Sequence, residues 1–181
     1  MNKLLTNKLL TNKLLANKLL GNKLLLPLLA AVSLFMPPTA YAQMGASKVA
    51  TAHAVIKPAA IARGGKGTLI VTLSVGSKYH VNARHPNDPA YIPTTFTPQP
   101  VPGIKFGNTR YPAPKLMKVS YSPKPLLVYT GQVVITVPFT VTNAVHPGFL
   151  PLSGVVDFQG CDAQSCFPPA TTSVKTAFVV K

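Results

Sequence analysis

A chain of 181 residues carries 18 lysines and arginines against three acidic residues, a formal charge of +15. The basic residues are scattered, with neither the basic run nor the interleaved aromatics of a nucleic-acid binder, so no nucleic-acid partner is expected. Nineteen prolines, no tryptophan and much Val and Thr argue against a helical bundle and for one β-rich domain with many turns.

Residues 1–42 read as a secretory signal peptide. Asn-Lys-Leu-Leu recurs five times, starting at Asn2, Asn7, Asn12, Asn17 and Asn22, and an apolar run follows over 24–36, broken only by Pro27 and Ser33. The segment ends Thr39-Ala40-Tyr41-Ala42. Lysines, an apolar core and Ala-x-Ala are the three parts of such a signal. A five-residue step turns a helix by about 500°, roughly 140° net, so the leucine pairs form no single membrane-binding face. Cleavage after Ala42 leaves residues 43–181, with a charge of +10. No stretch of this mature part approaches the roughly 20 apolar residues of a membrane span, so no transmembrane segment is expected after signal removal. In an extracytoplasmic space the charge suits an anionic surface, an acidic partner or plain solubility.

The mature chain reads as short strands between turns. After a tail over 43–47, a first strand is predicted over 48–57. Gly64-Gly65-Lys66-Gly67 is a turn; it lacks the Gly-Lys-Ser/Thr ending of a phosphate loop. Strands follow over 68–75 and 78–82, and proline-rich 84–93 is loop. Extended pattern returns over 94–97, 104–106, 115–121, 126–129 and 132–142, with Pro138 predicting a sheet edge or a bulge. Residues 154–158 and 172–180 read as a closing hairpin. The whole predicts an immunoglobulin-like β-sandwich of about eight or nine strands, with turns about every 8–12 residues.

Both cysteines, Cys161 and Cys166, fall between the last two strands and are placed where these enter and leave the turn. An exported protein with two cysteines normally pairs them. Residues facing across a hairpin lie near the roughly 5.5 Å Cα separation that a disulfide needs. A bridge over so short a loop constrains the unfolded chain by only about 2 kcal/mol. The position therefore favours a redox pair over a staple, leaving a non-catalytic binding module with a structural disulfide as the alternative. Asp162, if turned toward Cys161, disfavours a thiolate. Phe167 and Pro168-Pro169 give a stiff apolar platform beside Cys166 that suits a partner surface or a strand end.

Phe158-Gln159-Gly160-Cys161, a short acidic turn and Cys166-Phe167-Pro168-Pro169 resemble the N-terminal periplasmic domain of the DsbD thiol:disulfide interchange proteins. Lys78-Tyr79-His80-Val81-Asn82-Ala83, Tyr91-Ile92-Pro93-Thr94, Arg110-Tyr111-Pro112 and Val128-Tyr129-Thr130-Gly131 extend the likeness toward a stand-alone exported variant. The resemblance implies an immunoglobulin-like fold, a periplasmic location and protein-disulfide reductase chemistry without a cofactor. It implies that Cys166 forms the mixed disulfide with partners and Cys161 resolves it. It also implies that electrons come from a membrane-embedded transporter or thioredoxin-like protein acting in trans and pass to periplasmic disulfide proteins. Family members shield the pair with a cap loop bearing an aromatic and acidic residues; the corresponding residues 119–125 offer Tyr121 and no carboxylate.

His53, His80, His85 and His146 lack the His-x-His or Cys-x-x-Cys spacing of a zinc or copper site, so no metal is expected. His80 reads as a packed or surface histidine. No nucleophile elbow supports a Ser-His-Asp hydrolase.

Overall fold

β-Branched and aromatic residues alternating with polar ones bury every second side chain of a strand, and here that pattern runs through ten-residue strands. The computed structural model describes residues 48–181, so the predicted signal peptide, its repeats and the tail at 43–47 lie outside the described residues. The strands are β1 (Ala50–Lys57), β2 (Ala60–Ile61), β3 (Lys66–Val75), β4 (His80–Asn82), β5 (Thr95–Pro98), β6 (Ile104–Phe106), β7 (Lys115–Met117), β8 (Leu126–Tyr129), β9 (Gln132–Val141), β10 (Gly148–Phe158), β11 (Gly160–Cys161) and β12 (Ala170–Val180). They form three sheets, ordered β1-β3-β9-β6, β2-β12-β10-β5 and β11-β4-β8-β7. All pairs are antiparallel except β2 with β12. The expected all-β, immunoglobulin-like sandwich is therefore the observed fold.

Leu69, Val71 and Leu73 of β3, Ile135 and Val137 of β9, Leu152 and Phe158 of β10 and Phe178 of β12 are fully buried between the sheets. Removing each such side chain from water is worth about 1.5–3 kcal/mol, which fixes the register of the long strands. The Phe139 and Phe178 rings meet at 5.3 Å and join β9 to β12. A second, smaller apolar cluster of Val119, Leu126 and Val128 packs beneath Tyr91, Met117 and Tyr121. It anchors the segment after β7.

Pro138 lies opposite a bulge, one of the two expected alternatives, and not on an edge strand, because β9 lies between β3 and β6. Its carbonyl accepts from Gly107 N–H at 2.7 Å. Backbone N–H and C=O of one strand residue point the same way, so the donor that proline lacks also faces the β6 side. There the neighbouring segment sets three residues, Gly107, Asn108 and Thr109, opposite Val137 and Pro138, between the Phe106–Phe139 pair and the Arg110–Thr136 bridge. The irregularity falls on the partner segment.

The closing hairpin differs from expectation in a way that decides where the cysteines go. Strands β10 and β12 pair over their full length, from Gly148↔Val180 to Phe158↔Ala170. The link between them, residues 159–169, leaves the second sheet and donates β11 to the third, where Gly160 pairs with Val81 and Cys161 with His80. The cysteines thus do not flank the turn of the long hairpin; they belong to a smaller one built inside the connection. Two residues per strand give no sequence signal, which is why β2 and β11 were not expected.

Candidate functional site

The small hairpin is closed by backbone bonds on both sides of the cysteines. Phe167 N–H donates to Gly160 O at 2.8 Å, and Asp162 N–H donates to Ser165 O at 2.9 Å. Between these bonds Cys161 and Cys166 face each other as an antiparallel bridge and form a disulfide with Cα atoms 3.9 Å apart. This is the narrow, non-hydrogen-bonded type of pair, ideally about 4.5 Å across, rather than the wider type assumed from the sequence. Cys161 has no exposed surface, whereas Cys166 is partly exposed.

Asp162 does not turn its carboxylate onto Cys161. Its Oδ1 accepts from Gln164 N–H at 2.8 Å and Ser165 N–H at 2.9 Å, capping the turn. Those two bonds, with help from nearby His80, hold the carboxyl below its ordinary range.

Three side chains share one rung of the sheet: His80 on β4, Cys161 on β11 and Cys166 on the returning arm. His80 is only 3% exposed. Its Nε2 lies 2.8 Å from Tyr121 Oη, and the two rings are parallel within 3° at 6.4 Å. The Tyr91 ring lies tilted against Tyr121, with centroids 6.5 Å apart. Burial pushes the His80 pKa below its ordinary value, and the Asp162 charge partly offsets this. Burial, then Tyr91 and Asp162, push the Tyr121 phenol up to about 12. At neutral pH the rung therefore has a neutral imidazole, a protonated phenol and a carboxylate around the cysteines.

Side chains absent from the expected site hold this arrangement. Gln159 Oε1 accepts from Asn82 Nδ2 at 3.1 Å and from Ile92 N–H at 3.3 Å, while its Nε2 donates to Phe167 O at 3.2 Å. One glutamine thus ties the entry and exit of the hairpin to β4 and the 84–93 loop. Ser120 Oγ donates to Ala163 O at 2.7 Å, fastening the segment after β7 to the hairpin turn. A Cβ on Gly160 would stand 2.4 Å from Val49 Cγ1, so that position needs glycine. Phe167 packs edge-on against Tyr79 at 5.9 Å, and Pro168 beside it is exposed.

Cys161, Cys166, Asp162, Phe167, Pro168 and Tyr121 thus gather at one end of the domain. Sequence reasoning missed His80, Gln159 and Ser120 as parts of the site; the Gln-Gly-Cys and Lys-Tyr-His-Val-Asn motifs were the available signal for two of them. A cleft of about 270 Å³ opens beside the rung, between the segment after β7 and the hairpin, lined by Lys78, Tyr79, His80, Lys118, Ser120 and Ala163. A larger open groove of about 640 Å³ lies at the other end of β3, along Lys57, Lys66, Lys105 and Pro138, away from the cysteines. Among the described residues no three His, Cys, Asp or Glu side chains come together as a metal site. No helix among them is long and apolar enough to cross a membrane.

The family model for the N-terminal domain of thiol:disulfide interchange protein DsbD matches residues 46–177. Among solved structures, the DsbD N-terminal domain of Neisseria meningitidis in the reduced form is 15% identical with a TM-score of 0.43, over 81% of this chain and 96% of that one. The N-terminal periplasmic domain of ScsB from Proteus mirabilis is 13% identical with a TM-score of 0.45, over 70% of this chain and 44% of that one. No curated protein matches the chain. The family match takes in every strand from β1 to β11 and most of β12, including both cysteines and the residues around them. The chain belongs to the family of DsbD N-terminal domains and carries a thiol:disulfide interchange domain.

Proposed function

We propose that this domain is exported by the signal at 1–42 and works outside the cytoplasm as an electron relay, with Cys161 and Cys166 as its redox pair. Cys166 is the partner-facing sulfur and Cys161 the resolving one. The observation that carries the assignment is the unequal exposure of the two bonded cysteines: Cys166 is partly exposed, whereas Cys161 is buried, across the sheet from His80.

The chemistry balances as two exchanges. The Cys166 thiolate attacks a disulfide of an extracytoplasmic protein, forming a mixed disulfide and releasing one partner thiolate. Cys161 then attacks Cys166, the Cys161–Cys166 bond forms, and the second partner thiolate leaves. The partner gains two electrons and this domain loses two. A membrane-embedded or thioredoxin-like donor restores the dithiol by the reverse exchange. Phe167 and Pro168 form the apolar rim against which the partner sits.

Replacing Cys161 with serine removes the resolving step. Cells producing Cys161→Ser are expected to accumulate a reducible cross-link through Cys166, and thiol trapping of the wild type is expected to find part of the pair reduced. A pair that stays wholly oxidised, with no cross-link in the variant, would assign the disulfide to structure and reject the relay.

A further inference from the structure

We infer that His80 is the base that removes the proton of Cys161 in the resolving step, its ring held for that task by Tyr121. The inference rests on the interchange reading above and adds a third residue to it.

Register is the first argument. Cys161 is the cross-strand partner of His80 on one side and of Cys166 on the other. Directly opposed residues share a face and hold their Cβ atoms about 4.5–5.5 Å apart. Imidazole, resolving sulfur and partner-facing sulfur are therefore consecutive along one rung.

Access is the second. Cys161 has no exposed surface, so its thiol proton must leave through a protein group. The titratable and charged groups around the imidazole are Cys161 and Asp162 from the hairpin, Tyr121 from the segment after β7, and Lys78, Tyr79 and Lys118 around the cleft. Asp162 is engaged by two turn N–H groups and is a weak base. Tyr121 keeps its proton. Lysine ammonium groups offer donors and no acceptor. Tyr79 packs its ring against Phe167, and His80, kept neutral by burial, is the base in register with Cys161.

Orientation is the third. The 2.8 Å bond to Tyr121 occupies Nε2, and the two ring planes are parallel within 3°. The base role requires the tautomer that donates Nε2–H to the Tyr121 oxygen, which leaves Nδ1 as the acceptor. His80 also lines the 270 Å³ cleft, which gives the captured proton a way to solvent.

In the mixed disulfide, Cys166 Sγ is bonded to the partner sulfur. The Cys161 S–H proton passes to His80, and the sulfur lone pair forms the bond to Cys166. The bond from Cys166 to the partner breaks, and the partner leaves with its electron pair. The imidazolium, steadied by the Asp162 charge, returns its proton to the departing thiolate or to water in the cleft.

The test is a single-turnover reaction of the fully reduced, exported protein with 5,5′-dithiobis(2-nitrobenzoate). The first thiolate released reports attack by Cys166, and the second reports resolution by Cys161. His80→Gln is expected to leave the first phase intact, slow the second by about a hundredfold and remove the inflection that its pH profile owes to the imidazole. Tyr121→Phe keeps the base and frees its ring, so the second phase slows by a smaller factor and keeps its inflection. If His80→Gln does not fold, His80→Asn takes its place under the same criteria. A second phase with wild-type rate and pH profile in the His80 variants overturns the inference. The failures are separable: without a cross-link in Cys161→Ser cells the relay falls even if probe resolution depends on His80, whereas a cross-link with His80-independent resolution rejects the base alone.

Discussion

Tyr121 Oη lies 2.8 Å from His80 Nε2, joining residues 41 positions apart. The bond ties the segment after β7 to β4, where His80 is the cross-strand partner of Cys161. Tyr121 owes its place to the small cluster of Val119, Leu126 and Val128, and Ser120 adds a bond from the same segment to the hairpin turn. This segment is thus held against the site without a carboxylate of its own; the nearby negative charge comes from Asp162, inside the hairpin.

Stability should depend on pH through His80. Burial lowers its folded-state pKa below the ordinary 6.5, so as pH falls the unfolded chain binds the proton first. Stability is unaffected by this group above 6.5 and declines as pH falls below it. Asp162 acts in a separate, lower range: its lowered carboxyl stabilises above 3.8, and that stabilisation is lost as pH falls further. Thermal melts of the oxidised protein should show a Tm that falls as pH drops below 6.5, and His80→Gln should flatten that slope. An unchanged slope in the variant would locate the effect elsewhere.

Gln159→Leu tests the brace across the hairpin. The change keeps most of the volume and removes an acceptor shared by Asn82 Nδ2 and Ile92 N–H, together with the donor to Phe167 O. A net hydrogen bond is worth about 0.5–1.5 kcal/mol, and stranding a buried donor costs about 1–3 kcal/mol. Urea unfolding of the oxidised variant should therefore show a loss of roughly 2–3 kcal/mol. A loss within experimental error would mean that water replaces these bonds freely and that Gln159 does not position the hairpin.

The strands were legible wherever apolar periodicity ran unbroken between turn residues. The segments Ile104–Phe106 and Leu126–Tyr129 coincide with the expected ones, and β3 and β9 differ from theirs only at their ends. The first half of β10 was hidden by Gly148 and Pro151. Proline is tolerated there because β10 has β12 on one side only until β5 joins at Gly154. The cysteine motif was visible, but its sheet was not. A two-residue strand joining a different sheet leaves no periodic trace, and β11 exists because Gly160–Cys161 finds unpaired backbone on β4. His80, expected to be packed or on the surface, is packed. Its neighbours Tyr121 and Cys161 are set by tertiary contacts that no local pattern records.

Gly160→Ala tests the closeness of the N-terminal segment to the hairpin. The added methyl would meet Val49 Cγ1 at 2.4 Å and Val49 Cβ at 3.2 Å, in a region where both residues are buried. Overpacking of this kind costs about 1–3 kcal/mol. Val49→Ala alone should also destabilise, through a small cavity. The double variant Val49→Ala/Gly160→Ala should be less unstable than the sum of the two, with a coupling of about 1 kcal/mol. Strict additivity in urea melts would show that the clash is relieved by backbone movement and that Val49 does not set the hairpin's depth.

Reducing the disulfide separates a relay from a staple without any partner. The bridge spans a sequence separation of 5 and sits between two backbone hydrogen bonds that do not involve either sulfur. Chain entropy assigns so short a loop about 2 kcal/mol, and residual turn structure in the unfolded chain lowers that further. The main apolar cluster, which includes Leu69, Ile135, Leu152 and Phe178, contains neither cysteine. The reduced protein should therefore keep its native near-UV circular dichroism and lose about 2 kcal/mol or less in urea. Two-state unfolding should persist, with an unchanged m-value. A domain that must cycle between dithiol and disulfide needs this tolerance, because both forms must hold Cys166 open to partners and Cys161 against His80. Loss of several times that amount, or a fall in m on reduction, would make the disulfide a structural requirement and would leave the relay with no folded reduced state from which to act.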